Sequence, residues 1–342
     1  MFKDKRIHFI GIGGIGMSGL AEVLNSMGYR ISGSDICKTD ITERLKTLGI
    51  KVSYTHDKVN IDPSDVKMVV FSAAIHPDNV EYKTALLFDI PIISRGEMLA
   101  DIMRLKKNAV AVAGAHGKTT TSSLIFHILE ASPYDCTAII GGILVKKASN
   151  VSWGASDYLV AETDEHDGSF LKLAPSVSVV TNIDEEHMEY YPNLDALKTA
   201  FLEFIHKIPF YGFSVLCLDD KNVKSILPKV SCNKILYGLT EDADIFASNI
   251  KILDNSLSSP KVSFDVICSN KRLAPAGKIG NIKINTLGEH NVLNSLAAIS
   301  VALGLGVRVD DIQKGLENFS GVKRRFEVKT TGIFRFASSP TF

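Results

Sequence analysis

Twice in this chain an apolar run breaks into glycines and then into a helical pattern, and that repetition constrains the fold more than any other feature. The first instance is Arg6–Ile10 followed by Gly11-Ile12-Gly13-Gly14-Ile15-Gly16 and the stripe Leu20, Val23, Leu24, Met27. The second is Ala109–Ala113 followed by Gly114-Ala115-His116-Gly117-Lys118-Thr119-Thr120 and a helical stretch over Thr119–Glu130. A strand that turns through glycine into a helix needs a sheet partner for the strand and a crossover for the helix. Around the first instance, Arg30–Ser32, Met68–Ser72 and Pro91–Ser94 read as strands and Ile41–Leu48 as a helix stopping at Gly49. Around the second, Tyr158–Ala161, Ser176–Thr181 and Val215–Leu218 read as strands, with helices over Leu194–His206 and Val292–Leu305. Strands alternating with helices predict an α/β chain with parallel sheets covered on both faces. Residues 245–285 change character to β-branched alternation and are expected to form antiparallel strands.

The chain has 342 residues, too many for one compact core. Arg104-Leu105-Lys106-Lys107 reads as a basic linker between the two cycles. Lys+Arg and Asp+Glu both number 38, so the formal net charge is zero. A nucleic-acid binder acting through bulk charge is thereby disfavoured. Hydrophobic residues at 45% and charged residues at 22% exclude disorder along the whole length. The five cysteines are scattered without a C-x-x-C, which fits a reducing cytoplasm and gives no zinc or dithiol site. Lys3, Lys5 and Arg6 before the stretch Phe9–Ala21 look superficially like a secretory signal, but the five glycines and Glu22 argue for the strand–turn–helix reading. The later apolar run Leu296–Val307 is too short to span a bilayer, so no membrane role is expected.

The first loop carries G-x-G-x-x-G at Gly11, Gly13 and Gly16. Such glycines allow a tight turn, close approach of backbone to a pyrophosphate, and close helix packing. Asp35, about 24 residues after Gly11, falls where an acid meets a ribose or base. The motif does not distinguish a dinucleotide from another pyrophosphate ligand. The second loop, G-x-x-G-K-T, is a shortened phosphate loop: its N–H groups can wrap phosphate oxygens, Lys118 supplies charge, and Thr119 can reach Mg²⁺. Carboxylates follow two strands, at Glu162, Asp164 and Glu165 and at Asp184, Glu185 and Glu186, with His187 next. Glu162, first after its strand, is expected to act on the ligand with His187. Asp164, Glu165, Glu185 and Glu186 are expected to be solvated loop acids. His290, Asn291 and Asn294 share one turn, which alone indicates no more than a polar helix start. Lys323-Arg324-Arg325 reads as a solvated charge run.

Taken together, these motifs resemble the Mur ligase family. The resemblance rests on His8–Gly19, Ser32-Gly33-Ser34-Asp35, Gly114–Thr121, Ala161–Phe170, Thr181–His187, Pro209–Gly212, Gly288–Asn294 and Gly321–Phe326, in that order. It implies a Rossmann-like, UDP-sugar-binding domain over residues 1–105 and a central ATP-binding domain with a phosphate loop over 106–325. It also implies a cytoplasmic enzyme of peptidoglycan precursor synthesis that consumes ATP with Mg²⁺ and joins L-alanine to UDP-N-acetylmuramate through an acyl phosphate. Gly13, Gly14, Ile15 and Gly16 would lie near the substrate pyrophosphate, Asp35 near the uridine, and Ser72 and Arg95 along the same pocket. Gly114, His116, Gly117, Lys118, Thr119 and Thr120 would hold the ATP phosphates, with Lys118 on the β- and γ-phosphates. Thr119 and Glu162 would hold one Mg²⁺ and His187 a second. His290, Asn291 and Asn294 would meet the adenine side and Arg325 the phosphates. Family members continue into a further domain whose Asp- and His-rich motif has no match in Thr330–Phe342. Residues 326–342 are therefore expected to be the remnant of a truncated domain, and ligation by this chain to be impaired. Alternatives are a non-catalytic nucleotide-binding protein, a ligase that recycles murein tripeptide, and, on the first motif alone, an NAD-dependent dehydrogenase.

Overall fold

The computed structural model describes residues 4–144, 149–165, 168–185, 190–256, 260–274, 277–319 and 322–323. His187, Glu186, Arg324, Arg325 and the tail 326–342 lie outside the described residues. The first cycle runs β1 (Arg6–Ile10), α1 (Ile15–Ser26), β2 (Arg30–Ser34), α2 (Asp40–Thr47), β3 (Lys51–Ser53), β4 (Val66–Phe71), α3 (Val80–Leu87), β5 (Ile92–Ser94) and α4 (Arg95–Arg104). Its five strands pair in the order β3-β2-β1-β4-β5, and every pair is parallel. The strand order reverses at β1, so the loop leaving β1 sits at the crevice where a doubly wound sheet takes its ligand. That loop is Gly11–Gly14.

The second cycle runs β6 (Asn108–Ala113), α5 (Lys118–Ala131), β7 (Thr137–Leu144), β8 (Ser149–Ser152), β9 (Tyr158–Glu162), β10 (Val177–Val180), α6 (Leu194–His206), β11 (Phe213–Cys217), α7 (Lys221–Ile226) and β12 (Lys234–Gly238). It continues through β13 (Ile245–Asp254), β14 (Lys261–Cys268), β15 (Gly277–Ile284), α8 (Glu289–Gly304), α9 (Val309–Glu317) and β16 (Val322–Lys323). Strands β7, β9, β6, β10, β11, β12 and β13 form a parallel run, and β14 and β15 extend it antiparallel. The antiparallel expectation for 245–285 is met. β6 lies between β9 and β10, so its phosphate loop again occupies the reversal point.

Period-two alternation on β6 divides the interior. Val110 and Val112 face one core with α5 and α8, through Leu124, Ile128, Leu296 and Ile299. Ala109, Ala111 and Ala113 face another, which holds Phe201 and Phe204 of α6 together with Phe9, Leu20, Leu99 and Ile102 of the first cycle. One hydrophobic core thus runs through both sheets. α8 is buried on nearly every side from Val292 to Leu303, which is why its sequence is apolar without a polar face. No helix among the described residues is long and apolar enough to cross a membrane.

The segment Arg104–Lys107 is not a free linker. Arg104 ends α4, and Lys106 donates to the carbonyls of Gly154 and Ser156 at 2.9 and 2.5 Å. Its Nζ also lies 4.5 Å from the Trp153 ring centroid. A second tie crosses from hairpin β7–β8 to α1, where Asn150 Nδ2 donates to the Ile15 carbonyl at 2.8 Å. A Cβ on Gly19 would stand 2.6 Å from Val151, so α1 can meet the hairpin this closely only through glycine.

Candidate functional site

The helix starts separate into two kinds. α2, α3, α4, α6 and α7 are capped by the side chains of Thr39, Asn79, Ser94, Asn193 and Asp220. α1, α5 and α8 are entered from Gly14, Gly117 and Gly288 with no side-chain cap, and α9 from Arg308 likewise. An uncapped start leaves N–H groups and the positive end of the helix dipole available to an anion. The start of α1 and Lys118, the first residue of α5, line one shared cavity of about 400 Å³. Its first wall is Gly14, Ile15, Gly16, Ser72 and Arg95; its second is Lys118, Gly141, Glu162, Thr163 and Asp164.

On the first wall, Gly11 turns at φ +80°. Its N–H and that of Ile12 donate to the Ser34 carbonyl at 2.8 and 3.0 Å, tying the loop to β2. Asp35 accepts from the Gly13 N–H at 2.8 Å through one oxygen and from the Cys37 N–H at 2.9 Å through the other. A Cβ on Gly13 would stand 2.7 Å from that carboxylate, so this glycine serves the loop's approach to Asp35. Arg95 opens α4 and reaches Asp164 Oδ2 at 3.3 Å, with the guanidinium packed so closely over Gly16 that a Cβ there would be 3.1 Å away. Ser72 lies beneath Gly11 and lines the cavity.

On the second wall, Gly114 and Gly117 adopt φ of +136° and +82°, conformations that favour glycine. The loop is braced from β10's end. Thr181 Oγ1 donates to the His116 carbonyl at 2.6 Å, Asn182 Nδ2 to the same oxygen at 2.9 Å, and the His116 N–H to Asn182 Oδ1 at 2.8 Å. The His116 ring is exposed and lies 3.8 Å from Asp184. Thr119 Oγ1 donates to Glu162 Oε1 at 2.8 Å, while Glu162 Oε2 accepts from the Gly141 N–H at 2.7 Å. Thr120 is half-buried on the first turn of α5. Asn294 on α8 accepts from Thr121 Oγ1 at 3.2 Å, and its amide oxygen faces Gly117 so closely that no Cβ fits there. Asn291 is one turn earlier, bonded to Thr286, Leu287 and His290 at 2.8, 2.7 and 3.1 Å, and His290 is exposed. The structure therefore gathers the glycine loops, Ser72, Arg95, Lys118, Thr119, Glu162 and Asn294, while His290 is linked to them only through Asn291.

Glu165 departs from the sequence reading. Expected in solvent, it is 2% exposed and forms an ion pair with Lys118 Nζ at 2.6 Å. Burial pushes its carboxyl above the usual range, opposed by the Lys118 charge. Lys118 also donates to the Gly114 carbonyl at 2.6 Å. Asp164 is half-exposed, as expected of a loop acid, but is paired with Arg95. Glu185 is exposed. Thr181, Asn182 and Asn150 are further residues that shape the site and that spacing alone did not single out.

Among the described residues, no group of three or more His, Cys, Asp or Glu converges on a metal position. The Thr119 hydroxyl nonetheless lies against a carboxylate oxygen of Glu162, which lines the cavity. Mg²⁺ takes few protein oxygens and keeps several waters and substrate phosphates, so this donor set fits it.

Two family models match the chain: "Mur ligase family, catalytic domain" over residues 6–107 and "Mur ligase middle domain" over 112–302. The UDP-N-acetylmuramate–L-alanine ligase of Geotalea daltonii is 48% identical over 327 residues, covering 96% of this chain and 68% of the relative. That of Solibacter usitatus is 47% identical, covering 96% and 67%. The crystal structure of the UDP-N-acetylmuramate–alanine ligase MurC from Thermotoga maritima superposes with a TM-score of 0.80 at 29% identity, covering 94% of this chain and 70% of that one. The UDP-N-acetylmuramate:L-alanyl-gamma-D-glutamyl-meso-diaminopimelate ligase from Neisseria meningitides superposes equally well, with a TM-score of 0.81 at 26% identity, covering 94% of this chain and 99% of that one. Backbone likeness alone does not separate these two neighbours, whereas the sequence relatives from Geotalea daltonii, Solibacter usitatus and Desulfatibacillum aliphaticivorans carry the alanine-ligase name. A parallel sheet and a larger mixed sheet, each with a glycine loop at its reversal point, one cavity between them and matched models across both halves lead to one conclusion: the chain belongs to the Mur ligase family.

Proposed function

We propose that this chain takes part in the ATP-dependent joining of L-alanine to UDP-N-acetylmuramate in peptidoglycan precursor synthesis, in the cytoplasm. One observation carries the reading: a single cavity has the first glycine loop and Arg95 on one wall and Lys118 with Glu162 on the other. A carboxylate is a poor acyl donor because its leaving group would be oxide. Two substrates must therefore meet in one space, an acid bearing a diphosphate and a triphosphate that activates it.

In this reading residues 1–105 hold the UDP-sugar, with the uncapped start of α1 and Gly13, Gly14, Ile15 and Gly16 at its pyrophosphate. Arg95 and Ser72 line its path and Asp35 fixes the loop near the uridine. Residues 106–325 hold ATP. Gly114, His116, Gly117, Thr119 and Thr120 cradle the phosphates through the backbone, and Asn291, Asn294 and His290 face the adenine side, with Arg325 toward the phosphates. The substrate carboxylate attacks the γ-phosphorus and ADP leaves. The amine of L-alanine then attacks the acyl phosphate carbonyl, inorganic phosphate leaves, and the amine gives up its proton. Lys118 neutralises the transferred group, a task that is mostly alignment and charge compensation. Magnesium held by Thr119 and Glu162, and a second ion toward His187, would supply further charge neutralisation.

A thermal shift titration with UDP-N-acetylmuramate, Mg-ATP and NADH tests this. At about a hundred times its dissociation constant a ligand adds roughly 2.7 kcal/mol, about 4 °C for a chain of this size. Shifts with the first two and none with NADH are expected. A shift with NADH alone would return the first loop to dehydrogenase chemistry.

A further inference from the structure

We infer that Glu165 is a resident counter-anion of the phosphate cradle: it holds Lys118 folded against the loop and competes with an incoming polyphosphate for that lysine. The inference rests on the second loop being a nucleotide site. Three observations support it. First, the ammonium of Lys118 is already committed, at 2.6 Å to Glu165 Oε1, 2.6 Å to the Gly114 carbonyl and 3.4 Å to the Ala115 carbonyl. A phosphate in the cradle has to draw Nζ away from at least one of these. Second, the pair is shielded, with side-chain exposures of 13% for Lys118 and 3% for Glu165, so water does little to screen the carboxylate from an anion bound beside it. Third, Glu165 is fixed in place. Its carbonyl accepts from Tyr191 Oη at 2.8 Å and from the Gly168 N–H at 3.2 Å, so the backbone cannot simply carry the acid away. Its Oε2 is buried without a hydrogen-bond partner among the described residues, so Lys118 is the group that sustains its charge.

The pair thus behaves as a loaded latch. The cradle without nucleotide presents a dipole rather than a bare cation, and a triphosphate or diphosphate must outbid the carboxylate. The consequence is weaker holding of nucleotide and easier release of the spent diphosphate. Glu165 touches neither substrate in this account; it is a positioning residue that acts through Lys118.

The test is calorimetric titration of Mg-ADP into the full chain and into Glu165→Gln, which keeps size and an acceptor oxygen but removes the charge. Binding about tenfold tighter is expected, equivalent to about 1.4 kcal/mol. Adenosine, which lacks phosphates, should bind both proteins alike; a merely structural role for Glu165 would move both ligands together. If Glu165→Gln fails to fold, Glu165→Asp, whose shorter reach loosens the pair, should tighten Mg-ADP by a smaller factor. Unchanged or weaker Mg-ADP binding by a folded variant overturns the inference while leaving the nucleotide site intact. If neither the full chain nor the variant binds Mg-ADP or Mg-ATP, the nucleotide reading of the loop falls and the inference falls with it.

Discussion

Replacing Lys118 with methionine should destabilise the folded chain by an amount that grows with pH, because the mutation strands Glu165. In the native chain the two side chains are 2.6 Å apart and largely shielded. Removing one partner of a buried pair typically costs about 3–5 kcal/mol, since the remaining charge stays buried. A stranded carboxylate has one escape, which is to take up a proton. From its ordinary value of 4.5, that costs about 1.4 kcal/mol per pH unit, hence at most about 1.4 kcal/mol at about pH 5.5 and about 4.8 kcal/mol at about pH 8. The sign follows from linkage. Glu165 without its lysine has a folded-state pKa raised above the unfolded one, so the folded state holds the proton more tightly. Its stability is therefore lost as pH rises from the unfolded value through the folded one. We expect a loss of about 1 kcal/mol near pH 5.5 and about 3 kcal/mol near pH 8, the latter below the protonation ceiling because Lys118 is partly exposed.

The assay is urea unfolding of the native chain and Lys118→Met at both pH values, each fitted for its own slope. The double variant Lys118→Met/Glu165→Gln separates the charge effect from lost packing, because it has no carboxylate to strand. Its loss should not grow with pH. A loss for the single variant that fails to grow with pH, or one that grows with pH in the double variant as well, would refute the reasoning.

Two further outcomes are expected. Gly16→Ala would place a Cβ 3.1 Å from Arg95 Cδ and Nη1, so UDP-N-acetylmuramate binding by calorimetry should weaken about tenfold with no loss of melting temperature, alanine being the better helix former. Burial opposes the Glu81 charge, but the His8 ring 3.7 Å away and hydrogen bonds from Ser34 and Asn60 prevail and hold the carboxyl down at about 2. Its folded value is depressed, so it contributes stability above the unfolded value that is lost as pH falls through about 2. Glu81→Gln should remove up to about 3 kcal/mol of acid-sensitive stability, read as a flatter unfolding profile on the acid side.

What the sequence displayed and what it hid divide by the range of the interaction that decides each feature. β1, β6 and the glycine turns after them are settled within about a dozen residues, by an apolar run and by glycines at positive φ, and both were legible. α4 has a local signal that hydrophobic periodicity does not register: Ser94 and Glu97 form the reciprocal capping box that S-x-x-E announces. α3 gave no such signal, since its buried face consists of Glu81 and Ala85, an acid and a small residue where periodicity looks for large apolar ones. Glu165 is the instructive case. Nothing near it in sequence distinguishes it from Asp164, and one is buried while the other is half in solvent. The difference comes from Lys118, 47 residues earlier, just as Asn294 acquires its place at the loop from Thr121, 173 residues away. A buried carboxylate is tolerable only where a cation already waits, and that cation's position is a property of the folded sheet, not of spacing. The residues that tune this site are accordingly the ones its motifs do not spell.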